Sequence, residues 1–223
     1  MDQAVLVLPK IEIGRSWRDI LRRRLNFCVR YIVAKRRSKV IAKLVPILER
    51  HFDHPWVAGI ELTLRFWPGG ETKLGQIWRL HKSLPRRSMS WDAPIALTVY
   101  RERRGKKRQA FCMSLYLEKN ILCIAQFQGS AGTDVPKELR AWPRRFIESC
   151  RAFVRQEGIK ELRVPKAETL YSYRNPYLDP RLTSTARNNT LLRIRRSMRL
   201  LYDANALELG FVPDGDWFKW EGS

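Results

Sequence analysis

The residues best placed for chemistry follow a short apolar run. Ile121–Phe127 (ILCIAQF) leads into Gln128, Gly129, Ser130, Ala131, Gly132 and Thr133, a turn too small and polar to pack a core. Glycines there let backbone N–H groups come close to a ligand, because no Cβ stands in the way. A helical pattern follows, opened by Trp142-Pro143 and carrying Phe146, Ile147, Cys150, Phe153 and Val154 on one face; Gly158 stops it before the apolar run Ile159–Val164. Strand, glycine turn, helix and strand make a crossover unit, and the start of such a helix favours an anion. Ser130 has no nucleophile-elbow pattern around it, and the histidines (His51, His54 and His81) all precede it, which argues against a serine hydrolase. Glu61 and Glu118 are the carboxylates on or beside predicted strands, where a base for proton transfer would stand, although a solvated strand edge suits them equally. His51 and His54 lack a third and fourth ligand nearby, so no metal is expected. Cys28, Cys112, Cys123 and Cys150 sit in apolar runs without a CxxC pair and read as buried thiols.

The elements that must position these residues are predicted as follows. Met1–Ile13 alternates weakly, as an edge strand or docked tail would. Ser16, with Asp19 three residues on, opens a helical pattern through Trp17, Ile20, Leu21, Leu25, Cys28, Tyr31 and Ile32. Its opposite face is basic and runs on into Arg36, Arg37 and Lys39. A second helix is expected near Val40–His51, kinked or broken at Pro46. From Pro55 the apolar period becomes two: Gly59–Trp67, Pro94–Tyr100, Ala110–Leu117 and Ile121–Phe127 form an antiparallel meander, with a cationic hairpin tip over Arg101–Arg108 and a three-residue turn at Glu118–Asn120. A basic connection without clean period fills Gly75–Ser88. After the crossover comes a long irregular insertion, Lys166–Asn189, then a helix through Leu191, Ile194, Met198 and Leu201 that ends at Gly210, a turn at Asp214-Gly215-Asp216 and a last strand, Trp217–Trp220. The expected fold class is α+β (mixed α/β): a basic helical region over residues 1–55, then a domain over 56–223 with a central mixed sheet and flanking helices.

Charge narrows the partners. The 223 residues hold 43 Lys+Arg against 22 Asp+Glu, a net charge of +21. Such an excess fits a polyanion: RNA or DNA, an anionic membrane surface touched peripherally, or an acidic partner protein. Three clusters stand out, namely Arg36, Arg37 and Lys39; Arg101, Arg103, Arg104, Lys106, Lys107 and Arg108; and Arg193, Arg195, Arg196 and Arg199. Together with Tyr171 and Tyr173 as stacking platforms they would suit a groove for single-stranded nucleic acid, while solvated basic faces would explain the same residues. No stretch reaches the ~20 apolar residues a membrane span needs. Asp2 stands where a signal peptide carries positive charge, so a cytoplasmic location is expected.

The order of these elements resembles the GNAT acyltransferase fold, through the meander ending at Ile121–Phe127, the glycine turn, the helix to Gly158 and the closing Glu208-Leu209-Gly210-Phe211 before DGDWFKW. More narrowly, Ile124-Ala125-Gln126-Phe127-Gln128-Gly129, Pro143–Glu157 and Tyr202-Asp203-Ala204 resemble the VirK/YbjX-type family of bacterial proteins, a likeness of layout over about residues 94–220. The resemblance implies an acyl-CoA or acyl-carrier-protein donor whose arm runs along Ala125, Gln126 and Phe127 and whose phosphates sit on Gln128–Thr133. It implies a tyrosine acid where this chain has Ala206, with Tyr202 one helical turn earlier; acyl transfer would also need a base, for which Glu61 and Glu118 are the available carboxylates near the sheet. The loop departs from the family in having Asp134 and no basic residue. The expectation is a GNAT-like, acyltransferase-related protein acting on or with a polyanion; the alternative is a non-catalytic nucleic-acid-binding accessory protein on the same fold.

Overall fold

The computed structural model describes residues 32–33, 35–64, 93, 95–129, 135–174, 176 and 182–222. The expectations for Met1–Ile13, for the helix opened by Ser16 up to Tyr31, for Gly75–Ser88 and for Ser130–Asp134 lie outside these residues.

The chain forms a mixed α/β structure around one seven-stranded sheet. The strands are β1 (Val57–Leu64), β2 (Ile95–Arg103), β3 (Lys106–Glu118), β4 (Ile121–Gly129), β5 (Glu161–Pro165), β6 (Val212–Asp214) and β7 (Trp217–Glu221), in spatial order β1-β2-β3-β4-β5-β7-β6. Strands β1 to β4 form the expected antiparallel meander; β5 runs parallel to β4, and β7 runs antiparallel to β5.

Both central hairpins are tighter than the sequence reading has them. Arg104-Gly105 (φ 54° and 65°) and Lys119-Asn120 (φ 44° and 65°) each make a two-residue turn with both residues left-handed. That is the turn whose twist matches paired strands. The cationic tip therefore shrinks to Arg104-Gly105, and its flanks become ladder, with Arg101 opposite Arg108, Glu102 opposite Lys107 and Arg103 opposite Lys106.

The described helices include α1 (Leu44–His51), α2 (Trp142–Gln156), α3 (Tyr171–Arg174), α4 (Ser184–Arg199) and α5 (Asn205–Glu208), with a π-helical turn, Leu200–Ala204, joining the last two; residues 35–41 are also helical, ahead of α1. The break expected at Pro46 comes earlier, at residues 42–43. Pro46 sits in the first turn of α1, where its missing N–H has no intrahelical partner to lose. The predicted insertion up to Asn189 is shorter, because Thr183 caps α4 by accepting from Ala186 N at 3.3 Å. Helix α2 buries the predicted stripe of Phe146, Ile147, Cys150, Phe153 and Val154. Gly158, at φ 64°, then reverses the chain into β5.

Helices α1 and α2 pack on one sheet face and share a core with it. Phe146 is its hub: its ring centroid lies 5.0 Å from Phe52, 5.9 Å from Trp142 and 6.3 Å from Phe127. Phe111 stacks on Trp142 at 4.8 Å. Ile41, Leu44, Ile47, Leu48 and Phe52 belong to the same core as the strands. The opposite face, around Ala96 and Cys112, is a separate small apolar cluster. Among the described residues no helix is long and apolar enough to cross a membrane. Replacing the fully buried Phe146 by alanine is expected to cost about 3–5 kcal/mol. Urea unfolding would register this as a lower midpoint at unchanged slope; a loss under about 1 kcal/mol would contradict the packing described.

Candidate active-site crevice and basic surface

Strands β4 and β5 stay together for only three residue pairs, Ile121 with Glu161, Leu122 with Leu162 and Cys123 with Arg163. The register against β3 then slips, Leu115 pairing with Ile124 and Ser114 with Gln126, so that Ala125 is left over as a bulge. A bulge bends its strand, and β4 parts from β5 at this point. Beyond Cys123, Val164 and Pro165 of β5 pair with β7.

Tyr202 enters the opening. Its hydroxyl accepts from Phe127 N at 2.7 Å and donates to Phe127 O at 3.3 Å, while its ring lies 5.2 Å from that of Phe127. A phenol can do both at once, and it answers both polar groups of a strand residue that β5 has left behind. Tyr202 is 1% exposed. The π-helical turn that carries it is supported from both sides. Asn205 Nδ2 donates to the carbonyls of Leu200 (2.8 Å) and Leu201 (3.2 Å), and Asp203 Oδ1 accepts from Ala167 N at 2.8 Å. Burial pushes the Asp203 carboxyl above the usual carboxylate range, against the lowering effect of that bond.

The other predicted catalytic residues do not converge on Tyr202. Glu61 lies on β1 opposite Thr98, ion-paired with Lys107 at 2.5 Å. Three strand spacings separate it from β4, about 14 Å. Glu118 closes β3 opposite Ile121, with Arg37 at 3.9 Å. It is six residues along β4 from Phe127, about 20 Å away. Of the predicted donor residues, Ala125, Gln126, Phe127 and Gln128 line the parting edge of β4. Gly129 lies against the indole of Trp142, where an added Cβ would stand 3.4 Å from Cζ2. Ser130, Ala131, Gly132 and Thr133 lie outside the described residues.

Helix α2 does not follow directly on the glycine turn, since a 3-10 turn at Lys137–Leu139 intervenes. Its first turn holds arginines and no acid, and both arginines are engaged. Arg145 donates to the carbonyls of His51 and Glu138, and Arg144 reaches Glu148 (3.0 Å) and Glu208 (3.3 Å). His51, Ala141, Arg144, Arg145 and Glu148 border an open cleft of about 430 Å³.

The basic clusters divide between the two ends of the sheet, and the single groove expected from sequence does not form. Arg36, Arg37 and Lys39 belong to the end where β3 turns into β4, as the contact of Arg37 with Glu118 fixes. The exposed Arg103, Arg104, Lys106, Lys107 and Arg108 project from the opposite end, beyond Gly129. Helix α4 packs on the Ala167–Thr169 turn that follows β5, at the same end as that hairpin, with Arg193, Arg196 and Arg199 exposed. Tyr173 lies beneath Arg195 (5.5 Å) and Arg199 (5.8 Å), and Tyr171 opens α3. Arg101 is only 7% exposed and covers Trp56 at 5.4 Å, so it faces inward.

Sequence reasoning missed the oxygens on the sheet face opposite α2. Ser114 Oγ, Gln126 Oε1 and Gln128 Oε1 are buried without a hydrogen-bond partner. Their register fits one patch, Ser114 standing opposite Gln126 and Cys112 opposite Gln128. Alternation along β4 puts Gln126 and Gln128 on one face, and this was legible; the burial was not. Cys112, Cys123 and Cys150 are buried thiols, and burial raises the last two above the ordinary cysteine value. Among the described residues no group of three or more His, Cys, Asp or Glu is arranged to hold a metal.

No family model and no curated protein matches this chain.

Tyr202→Phe would keep the ring and strip Phe127 of both bonds. The expected cost is about 1–3 kcal/mol, from two buried backbone groups left unanswered. Amide hydrogen exchange at Phe127 should accelerate by about tenfold; protection unchanged from the parent protein would mean that the hydroxyl is not what closes the strand.

Proposed function

We propose that this protein binds single-stranded nucleic acid, RNA or DNA, across the basic end of a GNAT-like sheet. The observation that carries this reading is a surface of cations without enough acids to answer them. In the β2–β3 hairpin the exposed Arg103 stands opposite the exposed Lys106, next to Arg104, and Glu102 is the one acid of Arg101–Arg108. Like charges directly across a ladder are destabilising, and a phosphate chain relieves them. On the other side of the same end, no Asp or Glu occurs between Asp179 and Asp203, a stretch that includes all of α4. The ring of Tyr173 beneath two guanidiniums adds a stacking element to that surface. Asp203, the carboxylate beside Tyr202, is held by Ala167 N, and Glu61 and Glu118 stand far from it, which favours a role that needs no general base.

The test is salt dependence. Binding of an oligouridine or oligothymidine, followed by fluorescence anisotropy, should weaken steeply as salt rises. Changing Arg103, Arg104 and Lys106 together to glutamine should flatten the slope of log affinity against log salt by about 2, at ~0.7 per phosphate contact. Changing Arg193, Arg196 and Arg199 together should do the same. Equal slopes in all three proteins, or no binding at low salt, would overturn the reading.

One observation favours a second reading, transfer of an acyl group from acyl-CoA or an acyl-carrier protein. The strand order, the single parallel pair β4/β5 and the bulge at Ala125 support kinship with the GNAT acyltransferases, and the opening between β4 and β5 is where a donor arm would pair with β4. Tyr202 occupies that position, so donor binding requires its withdrawal. Calorimetry with acetyl-CoA and a long-chain acyl-CoA is expected to show tighter binding to Tyr202→Phe than to the parent protein. The absence of heat with both proteins would remove this reading and leave the first intact.

A further inference from the structure

Helix α2 carries four arginines, which fall into two unlike pairs. Arg144 and Arg145, at its start, are matched to carboxylates and carbonyls. Arg151 and Arg155, one turn apart further on, have no carboxylate within ion-pair distance among the described residues. Glu148, which would reach Arg151, is held by Arg144 at 3.0 Å; Glu157 is held by Lys43 at 2.5 Å, and Glu221 by Lys219 at 2.8 Å. The two guanidiniums instead lie against one ring, 4.7 Å and 5.0 Å from the centroid of Trp220 on β7. Arg151 Nε is buried without a hydrogen-bond partner. Burial, and next the charge of Arg155, lower the Arg151 pKa from its ordinary value, against the raising effect of Glu148.

Two like charges at this spacing on a helix repel, and the indole face offsets part of that cost. A ring beneath a guanidinium also fixes its plane, which is how arginine is readied for bidentate contact with phosphate. Arg195 and Arg199 on α4 repeat the device over Tyr173, Arg195 Nε again buried and without a partner. That second pair belongs to the surface described above, and Arg199 already acts on the Asp203 carboxylate. The Trp220 pair is elsewhere. Trp220 is opposite Leu162, which pairs with Leu122 at the beginning of β4, toward the end of the sheet away from the β2–β3 hairpin.

We propose that Arg151 and Arg155, held by Trp220, form a phosphate-binding site separate from the basic end of the sheet. Its ligand is a phosphate monoester or pyrophosphate group, either free or at the 5′ end of a nucleic acid. The site stands whether or not the hairpin and α4 bind a strand.

Inorganic pyrophosphate, titrated calorimetrically into the full chain at low salt, is the direct probe. Arg151→Lys and Arg155→Lys keep the charge and lose the planar fork, so each should weaken binding by on the order of tenfold. Arg140→Lys, at an exposed residue outside both surfaces, should leave it unchanged. Because Arg155 is exposed, its conservative variant is expected to fold, and an unaltered thermal midpoint would certify that. Competition by a 5′-phosphorylated oligonucleotide stronger than by its 5′-hydroxyl twin supports the site and names a nucleic-acid end as the source. Equal competition supports it with free phosphate as the source. Absence of pyrophosphate binding, or equal affinity in the parent protein and both α2 variants, overturns the proposal.

Discussion

The hydroxyl of Tyr202 caps the central strand of a sheet where its neighbour has parted from it. Strand β4 keeps β3 along its length and loses β5 after Cys123, so Phe127 turns its N–H and C=O toward an opening. Buried backbone polar groups must be answered by something. Here one side chain answers both, and the local irregularities follow from it. The bulge at Ala125 makes the parting, while the π-helical turn brings Tyr202 inward. Asn205 and Asp203 then take up backbone groups on either side of that turn. The cluster of Phe127, Phe146, Phe52, Trp142 and Phe111 continues inward from the Tyr202 ring, joining the crevice to the main core.

A second constraint is the shortage of acids. With a net charge of +21, cations outnumber the carboxylates that could meet them, and the fold places many of them on other partners. Arg145 takes carbonyls, Arg101 takes the ring of Trp56, and Lys166 lies over Phe218. Such contacts orient a cation without neutralising it. The positive potential therefore survives folding and remains directed at solvent from the hairpin and from α4, so long-range attraction of an anion is a property of the folded state.

The elements with strong local signals were legible in the sequence. The run ILCIAQF became β4, the apolar stripe from Phe146 to Val154 became the inner face of α2, and Gly158 ended that helix. The mixed sheet and flanking helices followed from the order of those signals. Features that depend on distant partners were not legible. Tyr202 and Phe127 are 75 residues apart, and nothing about either residue announces the other. The bulge at Ala125 arises from pairing with β3, and the sequence of β4 alone does not encode it. The basic clusters looked like one surface because the sequence lists charges without saying at which end of a strand each will stand. Gly129 read as a place for backbone to approach a ligand, and nothing in the sequence showed that the indole of Trp142 lies beside it.

The late position of Tyr202 in the chain also sets an order of events. The β1–β4 meander is made of sequential hairpins, and such local pairings form readily. As the chain emerges from its N-terminus, β4 is complete before β5 and long before Tyr202 exist to cover its second edge. During that interval ILCIAQF is an apolar edge strand with unpaired backbone groups, the kind of segment that recruits a neighbouring chain. In the folded protein that edge is covered twice, by β5 along Ile121–Cys123 and by the Tyr202 hydroxyl at Phe127.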